Sequence, residues 1–409
     1  MSECFDVVIV GAGPAGLGAA IVLARQGLRV LVNDWRRLPI DKVCGEGVMP
    51  PGVEHLRQLG ALKELDGDEV HPFVGICLRS ARGTTASASF AEGPGLGIRR
   101  LNLSRALLRT AQRIDTLKIE DGVPVRGLQS TPTGTLVQLG SRQVTGRLLI
   151  GADGLNSRVR RWAGLDGGWN SLQRLGARQH YQISAWNDHV EVHYGPGIEA
   201  YITPCGKDLI GLAFLWDRRQ HRRIHGGSDL WPGLLHAFPH LEKRLKNAAP
   251  LGVAQGIGPL HRVARGTCAD GVILLGDAGG YLDACTGEGV SLALGEARSL
   301  ETTVAPLLLA AHEKPRKQQL DDFARAYRQI TSPYYQCTRM LLFLSKHPRW
   351  FERLLAAFRV YPDLFQHFLS VQIGRASLWP GWGKAARLLN ALLFAECGST
   401  RTFCARSKW

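Results

Sequence analysis

The sequence predicts an α/β fold in which two domains are interleaved along the chain and a helical tail follows them. Three glycine-rich segments, at residues 11–16, 151–154 and 276–289, each follow an apolar run that is typical of a buried parallel strand. Between residues 178 and 216 polar and apolar side chains alternate, which predicts an antiparallel sheet. In the last quarter of the chain, apolar side chains recur at helical spacing.

The first glycine-rich segment has the pattern of a phosphate-binding turn. An apolar strand at residues 5–10 ends at Gly11, which permits a tight turn before a helix rich in Ala and Leu. Gly13 lets backbone N–H groups approach a pyrophosphate, and Gly16 lets the helix pack on the strand. Pro14 suits the first helical turn, where its missing N–H is harmless. The residues expected to hold the ligand here are Gly11, Gly13, Pro14, Ala15 and Gly16.

An acidic residue follows at the distance that a dinucleotide site requires. Residues 28–32 predict the second strand, and Asp34 stands at its end, about 20 residues after the glycines. A carboxylate there accepts the ribose hydroxyls of adenosine and disfavours a 2′-phosphate. The strand, turn, helix and Asp34 together predict a Rossmann-type dinucleotide-binding domain, and a tight turn without a ligand is the alternative.

The second and third glycine-rich segments also follow predicted strands. Residues 143–150 lead into Gly-Ala-Asp-Gly and a short basic helix that Asn156 or Ser157 caps. Residues 271–275 lead into Gly276 and Asp277, and Thr-Gly-Glu-Gly at residues 286–289 then precedes a helix.

In this order the three motifs resemble the flavoprotein superfamily that contains the aromatic hydroxylases, the flavin halogenases and the geranylgeranyl reductases. The resemblance covers roughly residues 5–305 and implies bound FAD, with NADPH or NADH as the electron donor. It implies that Asp277 accepts the ribityl hydroxyls and that the helix entered at Gly289 points its positive end at the flavin. Asp277 as a helix cap, Arg100 as a solvated surface arginine and Asp153 as a turn residue are the alternatives. The residues added by the resemblance are Arg100, Asp153, Arg160, Gly276, Asp277, Gly287 and Gly289.

The motifs divide the chain into five segments. We expect the FAD-binding domain to comprise residues 1–80, 81–170 and 261–310, the antiparallel-sheet substrate domain residues 171–260, and the helical region residues 311–409. In the resembled superfamily the second sheet covers a cavity in front of the flavin. The candidate cavity walls are Tyr181, Trp186, Tyr194, Tyr201, Phe214 and Trp216, of which alternation allows about half to face the cavity.

One loop, at residues 42–47, contains the candidate catalytic residues. A similar segment runs beside the flavin in reductases and halogenases of the superfamily. Cys44 is the candidate proton donor, if Lys42 makes its surroundings electropositive, and a small buried residue is the alternative. Glu46 is a second candidate, although an acidic loop residue usually faces water. Tyr281 and Asp283 lie where substrate and flavin could meet.

Two reactions remain open for a reduced flavin. The abundance of hydroxylases in the superfamily favours a monooxygenase that hydroxylates or epoxidises a hydrophobic aromatic, polyketide or isoprenoid substrate. The Thr-Gly-Glu-Gly motif instead resembles geranylgeranyl reductases, and Gly279, Gly280 and Tyr281 replace a histidine that many hydroxylases have. Reduction of double bonds is therefore the alternative, and a non-catalytic module that binds a lipidated partner is a third. The tryptophan-rich segment of tryptophan halogenases does not occur in the sequence.

Composition limits the location and the partners. Nine cysteines without a CxxC pair predict reduced thiols in the cytoplasm, with neither zinc nor disulfides, and we expect no signal peptide before the first strand. Of the formal net charge of +15, residues 313–409 carry 16 Lys+Arg against 6 Asp+Glu, or +10. We expect the apolar stripe of this tail to pack on the body of the protein. Peripheral contact with the inner face of an anionic membrane is the alternative, and no motif predicts nucleic-acid binding.

Overall fold

Eighteen strands form three sheets in the computed structural model, which describes residues 3–168, 173–220 and 230–394. The strands are β1 (Glu3–Val10), β2 (Val30–Asp34), β3 (Gly47–Val48), β4 (Val70–Phe73), β5 (Gly75–Arg79), β6 (Thr85–Ser89), β7 (Gly95–Ile98), β8 (Leu117–Asp121), β9 (Val125–Ser130), β10 (Thr135–Leu139), β11 (Arg142–Gly151), β12 (Arg174–Gln182), β13 (His189–Gly195), β14 (Ile198–Gly206), β15 (Leu209–Asp217), β16 (Ala249–Ile257), β17 (Cys268–Ala269) and β18 (Val272–Leu274).

The α-helices lie against these sheets and in the C-terminal quarter. They are α1 (Pro14–Arg25), α2 (Pro50–Leu59), α3 (Arg100–Ala111), α4 (Arg158–Trp162), α5 (Leu230–His236), α6 (Pro239–Leu245), α7 (Gly289–Thr303), α8 (Ala305–Ala310), α9 (Asp321–Ser345), α10 (Pro348–Val360), α11 (Pro362–Gln372) and α12 (Trp382–Phe394). Short 3-10 turns occur at Leu62–Glu64, Gly67–Glu69, Arg218–Gln220, Gly276–Gly279 and Lys317–Leu320. No helix within the described ranges is both long enough and apolar enough to span a bilayer.

The first sheet has eight strands and a parallel centre in the order β18-β11-β1-β2-β8. Val10 of β1 is in register with Gly151 of β11 and with Asn33 of β2, and Gly151 is in register with Leu274 of β18. Because parallel strands end at the same edge of a sheet, the three glycine-rich segments lie side by side there. Convergence of these segments, which the sequence predicted, is therefore present in the structure.

The second sheet has seven strands in the order β16-β12-β15-β14-β13-β5-β6. Its pairs are antiparallel except for β5 with β13, which are parallel. Strands β5 and β6 lie in segments 1–80 and 81–170, which the sequence predicted to belong to the FAD-binding domain, and the structure pairs them within the second sheet. The division between residues 80 and 81 separates β5 from β6, which pair with each other. Strand β5 also pairs with β13, more than 100 residues later, and local pattern does not reveal that pairing.

The C-terminal helices pack on the second sheet. Phe351, Leu355, Phe365 and Leu369 are buried in one apolar cluster with strand residues such as Val192. The expectation that the apolar stripe of the tail packs on the body of the protein is thereby confirmed for residues up to 394. Part of the basic segment, residues 395–409, lies outside the described residues.

Candidate functional site

A single continuous cavity of about 1010 Å³ lies between the two large sheets. Its lining includes the three glycine-rich segments at the edge of the first sheet, and also strands of the second sheet and helices α9 and α11. The dinucleotide motifs and the predicted substrate domain therefore line the same cavity.

The glycine turn shows why two of its glycines are needed for folding and one is not. A Cβ atom on Gly16 would lie 1.8 Å from the carbonyl oxygen of Gly11, and one on Gly11 would lie 2.3 Å from that of Ala152. Both positions therefore exclude a side chain. At Gly13 the nearest atom to a Cβ would be Arg100 Nη2, at 3.7 Å, so the space in front of this residue is open. Gly13 is thus free to let a ligand approach the backbone.

Asp34 ties the end of β2 to the glycine turn. Its Oδ2 accepts a hydrogen bond from Ala12 N at 2.8 Å, and its Oδ1 accepts one from Arg36 N at 2.9 Å. The residue also lines the cavity, where a carboxylate can still accept ribose hydroxyls through its remaining lone pairs. Contact with ribose remains a prediction that this position permits.

Arg100 is the clearest sign of an anion site. Its side chain is buried beside Gly13, and among the described residues its Nη1 has no hydrogen-bond partner. Burial lowers the pKa of this guanidinium, although the nearby Cys44 and Asp277 oppose the shift. A buried cationic N–H without an acceptor is costly, and a phosphate oxygen would satisfy it. The surface alternative for Arg100 is therefore wrong, and the residues around Gly13 fit the pyrophosphate of FAD.

Asp153 and Arg160 stabilise the neighbouring motifs. The Asp153 carboxylate accepts hydrogen bonds from the Ser157 hydroxyl and from the backbone N–H groups of Arg158 and Val159, so it fixes the start of α4. This is the local role that the sequence left open as an alternative. Arg160 is buried, pairs with Asp166 at 2.9 Å, and donates to the carbonyl oxygen of Ala278 at 3.1 Å. It thereby joins the second glycine motif to the third.

The third motif presents a carboxylate to the cavity. Asp277 lies in a 3-10 turn, and its Oδ2 pairs with Lys42 Nζ at 3.0 Å. Gly276, whose φ is +57°, donates its N–H to Glu296 Oε2 at 2.6 Å, which fixes the turn from behind. Gly287 and Gly289 line the same cavity, and Gly289 is the first residue of α7. The positive end of α7 therefore meets the cavity, as expected.

Glu46 does not face water, which corrects the sequence-based expectation. Its side chain is buried, its Oε1 accepts a hydrogen bond from Arg100 N at 2.9 Å, and its Oε2 lies 2.6 Å from His180 Nε2. Burial opposes ionisation, but the hydrogen bond and charge of His180, with the charge of Arg178, lower the pKa of Glu46 below its usual value. The residue joins the loop to α3 and to the second sheet.

Cys44 lies beside Glu46 and lines the cavity. Its Sγ accepts a hydrogen bond from Glu46 N at 3.3 Å. Burial raises the pKa of the thiol, which keeps it protonated at neutral pH, while Arg100 and Arg178 favour the thiolate. The sequence predicted that Lys42 would supply this positive charge, but Lys42 pairs with Asp277, and the two buried arginines supply it instead.

The rest of the cavity is an apolar chamber under the second sheet. Tyr194, Tyr201 and Phe214 line it, as three of the six candidate aromatic walls. Tyr181 and Trp216 are buried in a separate cluster with residues of α5 and α6, and Trp186 lies outside the cavity lining. Phe214 and Trp216 are two residues apart on β15 and share a face, and Phe214 also packs in the cluster with residues of α5 and α6.

Several chamber residues were missed from the sequence. They are Ile76 and Leu78 of β5, Leu341 of α9, and Phe365, Phe368 and Leu369 of α11. Helical spacing identified the tail residues as an apolar stripe, but only the tertiary structure shows that the stripe closes a cavity. Tyr281 lines the cavity as expected, whereas Asp283 is buried behind it, 3.4 Å from Arg174 Nε.

Similar proteins are known in sequence and in structure. The digeranylgeranylglycerophospholipid reductase of Methanosarcina acetivorans is 30% identical over 314 residues, covering 71% of this chain and 72% of the relative. The menaquinone reductase of Mycobacterium tuberculosis is 28% identical over 322 residues, covering 72% and 75% of the two chains. The solved structure of the flavin-dependent brominase Bmp2 superposes with a TM-score of 0.79 at 21% identity, over 96% of this chain and 98% of that one.

The Bmp2 similarity shows a shared fold, consistent with an α/β flavoprotein architecture. The family model described as FAD binding domain matches residues 4–330, which include all three glycine-rich motifs and most of the cavity lining. With the converging motifs, the unpartnered Nη1 of Arg100 and this match, the chain belongs to the FAD binding domain family and is an FAD-dependent oxidoreductase.

Proposed function

We propose that the protein reduces carbon–carbon double bonds of an isoprenoid lipid with electrons from FAD. The position of Cys44 carries this proposal, because a protonated thiol faces the cavity that the cofactor and an apolar substrate would share. The similarity to reductases whose name specifies a geranylgeranyl lipid supports the choice of substrate class.

The cavity offers separate regions for cofactor and substrate. Arg100, the amides around Gly13 and the start of α7 would hold FAD, and the chamber beneath β13 and β14 would hold the isoprenoid chain. Apolar walls such as Val192 and Phe365 exclude water and favour a hydrocarbon ligand. When bound and reduced, FAD would supply a hydride to one carbon of the double bond.

Cys44 would supply the proton for the other carbon. Its thiol is protonated at neutral pH because burial raises its pKa. Transfer of the proton breaks the S–H bond, forms a C–H bond and leaves a thiolate, which the N–H of Glu46 and the charges of Arg100 and Arg178 stabilise. Water then returns a proton to the thiolate. NADPH or NADH would reduce the cofactor for the next cycle.

Monooxygenation, which the sequence favoured, is the second candidate. The abundance of hydroxylases in the superfamily favours it. We place reduction first because the relatives with 28–30% identity are reductases, whereas the brominase, at 21% identity, supports only the fold.

Anaerobic turnover separates the two reactions. We expect the purified protein to bind FAD and, after chemical reduction without oxygen, to convert a geranylgeranyl lipid to a product heavier by two hydrogens per double bond. The variant Cys44→Ala should bind FAD like the wild type but lose about 10²-fold or more of this activity, the size typical of a removed general acid. Control variant Cys77→Ala alters a thiol that does not line the cavity.

Other outcomes would identify the alternatives. Incorporation of ¹⁸O from labelled oxygen into the product would establish monooxygenation and contradict reduction. Failure of the protein to take up FAD would instead support a binding module without redox turnover. Full activity in Cys44→Ala would show that another group supplies the proton.

A further inference from the structure

The outer surface of the last helix exposes large apolar side chains. We define the tryptophan patch as Leu378, Trp379, Trp382 and Leu389, whose side chains are each more than half exposed. Trp382 is 82% exposed, and its ring lies edge to face with that of Trp379 at 5.1 Å. Soluble proteins seldom expose several large apolar side chains together without a binding role.

Two residues of the patch lie on the outer face of an amphipathic helix, and Leu378 and Trp379 precede that helix. Trp382 and Leu389 are seven residues apart in α12, which places them on one side of the helix. The other side packs inward, since Leu388 contacts the apolar cluster beneath the tail and Ala391 is buried. Packing against α10 therefore accounts for one face of α12 but not for the tryptophan patch.

The sequence segment that contains the patch carries an excess of positive charge. Between Asp363 and Glu396 the sequence contains no carboxylate side chain, but it contains Arg375, Lys384 and Arg387. Arg387 pairs with Asp363 at 2.8 Å, and Arg375 and Lys384 supply further positive charge. An anionic surface complements this arrangement.

The patch follows the wall of the chamber along the chain. Phe368, Leu369 and Gln372 of α11 line the cavity, and the chain reaches Trp379 seven residues after Gln372. The segment that closes the chamber is therefore followed directly by the exposed aromatic surface.

We propose that the tryptophan patch docks on the surface of an anionic lipid bilayer and holds the chamber wall next to it. Tryptophan prefers the membrane interface because its ring is apolar and its N–H is polar, and arginine and lysine are attracted to anionic headgroups. A second copy of the chain is a poorer occupant, because each copy carries a net charge of +15. The proposal rests on the proposed function insofar as an isoprenoid lipid substrate resides in the bilayer.

Vesicle sedimentation tests the docking directly. The full-length chain with FAD is mixed with vesicles of phosphatidylcholine alone or with phosphatidylglycerol added. We expect stronger binding to the anionic vesicles, and about tenfold or greater loss of binding in the double variant Trp379→Ala/Trp382→Ala. A control variant, Val253→Ser, changes a residue that is 80% exposed on β16, and it should bind like the wild type.

A second pair of substitutions separates charge from apolar contact. Arg375→Gln/Lys384→Gln should reduce the preference for anionic vesicles and weaken the salt dependence, because fewer cations then face the headgroups. Far-UV circular dichroism and FAD content establish that each variant is folded.

Two results would overturn the docking proposal. One is wild-type vesicle binding by the tryptophan double variant. The other is a wild-type dimer in sedimentation velocity that this variant converts to a monomer with vesicle binding unchanged, which would assign the patch to a second copy. Because vesicle binding is measured without turnover, its loss leaves the reductase proposal standing, and a failed reduction assay leaves the binding result standing.

Discussion

At Glu46 a buried carboxylate holds the backbone in an unfavourable conformation. Among the described residues it is the sole non-glycine with positive φ, at +63°, a conformation that costs roughly 1–2 kcal/mol for an L-residue. Bonds to Arg100 N and His180 stabilise it. In return, the backbone N–H of Glu46 reaches Cys44 Sγ. The strained backbone of Glu46 therefore also positions Cys44, the candidate proton donor.

Two substitutions of Glu46 distinguish the cost of its strained backbone from the loss of its side-chain contacts. Glu46→Ala should lower the free energy of unfolding by about 3–5 kcal/mol, because His180 and Arg178 lose a buried charged partner while the strain remains. Glu46→Gly loses the same contacts but adopts positive φ readily, so it should be about 1 kcal/mol more stable than Glu46→Ala. Urea unfolding at pH 7 measures both. Equal stability of the two variants would argue against strain at residue 46.

Substitutions of Gly13 and Gly16 provide a second matched test at the scale of single residues. Gly16→Ala should fold poorly or not at all, since its Cβ would meet the Gly11 carbonyl oxygen at 1.8 Å. Gly13→Ala has room for its Cβ and should keep the wild-type melting temperature to within a few degrees, yet bind FAD about tenfold or more weakly. Thermal unfolding and quenching of flavin fluorescence report the two properties. Wild-type FAD affinity in Gly13→Ala would place the pyrophosphate elsewhere.

At the scale of elements, the strand register places Ala213 and Ala200 on different sides of the second sheet. Ala213 of β15 lines the chamber, whereas Ala200 of β14 is fully buried in the cluster beneath α5 and α6. The pairing of Tyr201 with Ala213 brings a tyrosine and a small residue next to each other on the chamber side. This arrangement leaves space in the chamber that a larger side chain can fill.

Filling that space should block substrate and spare the cofactor. In Ala213→Phe we expect unchanged FAD affinity and about a tenfold rise in KM for an isoprenoid lipid, because the added ring occupies the chamber. The matched variant Ala200→Phe inserts the same ring into the packed core. Its free energy of unfolding should instead fall by about 1–3 kcal/mol. Unchanged KM in Ala213→Phe would show that the substrate does not use this chamber.

At the scale of the whole molecule, two buried carboxyl groups make stability depend on pH. Burial raises the pKa of Glu288 and of Glu296 to about 8, and both residues lie on or next to α7. The folded state therefore retains two protons that the unfolded chain releases near its usual carboxyl pKa of 4.5. The contribution of these two groups to the free energy of unfolding is therefore greatest at low pH, and it falls as the pH rises towards 8.

Removing the two carboxyl groups should flatten this dependence. For wild type we expect the free energy of unfolding to fall between pH 5 and pH 8 by up to about 1.4 kcal/mol per pH unit for each group. The variant Glu288→Gln/Glu296→Gln should lack most of this slope in urea unfolding. Glu191→Gln is the control, because hydrogen bonding from His193 and Asn187 lowers the pKa of Glu191 to about 2 against burial, so its contribution is constant above pH 4.5. An unchanged slope in the double glutamine variant would contradict the raised pKa values.

The sequence by itself predicted the secondary-structure elements that short segments of the chain determine. Glycines at residues 11, 13 and 16 with Asp34 specify a strand, a turn and a helix through local backbone geometry, and the structure has these elements at β1, α1 and β2. The apolar stripe of the tail was also predicted from local spacing alone. Each of these features depends on residues that are near one another in the chain.

Only the tertiary structure decided the features that depend on contacts between residues far apart in the chain. Strands β5 and β6 join the second sheet through β13, more than 100 residues later, and α9 and α11 close the chamber from the C-terminal quarter. Glu46 is buried because His180 lies 134 residues further along the chain and supplies a partner. Local pattern does not carry such pairings, because the free energy that favours them arises when separate elements pack together.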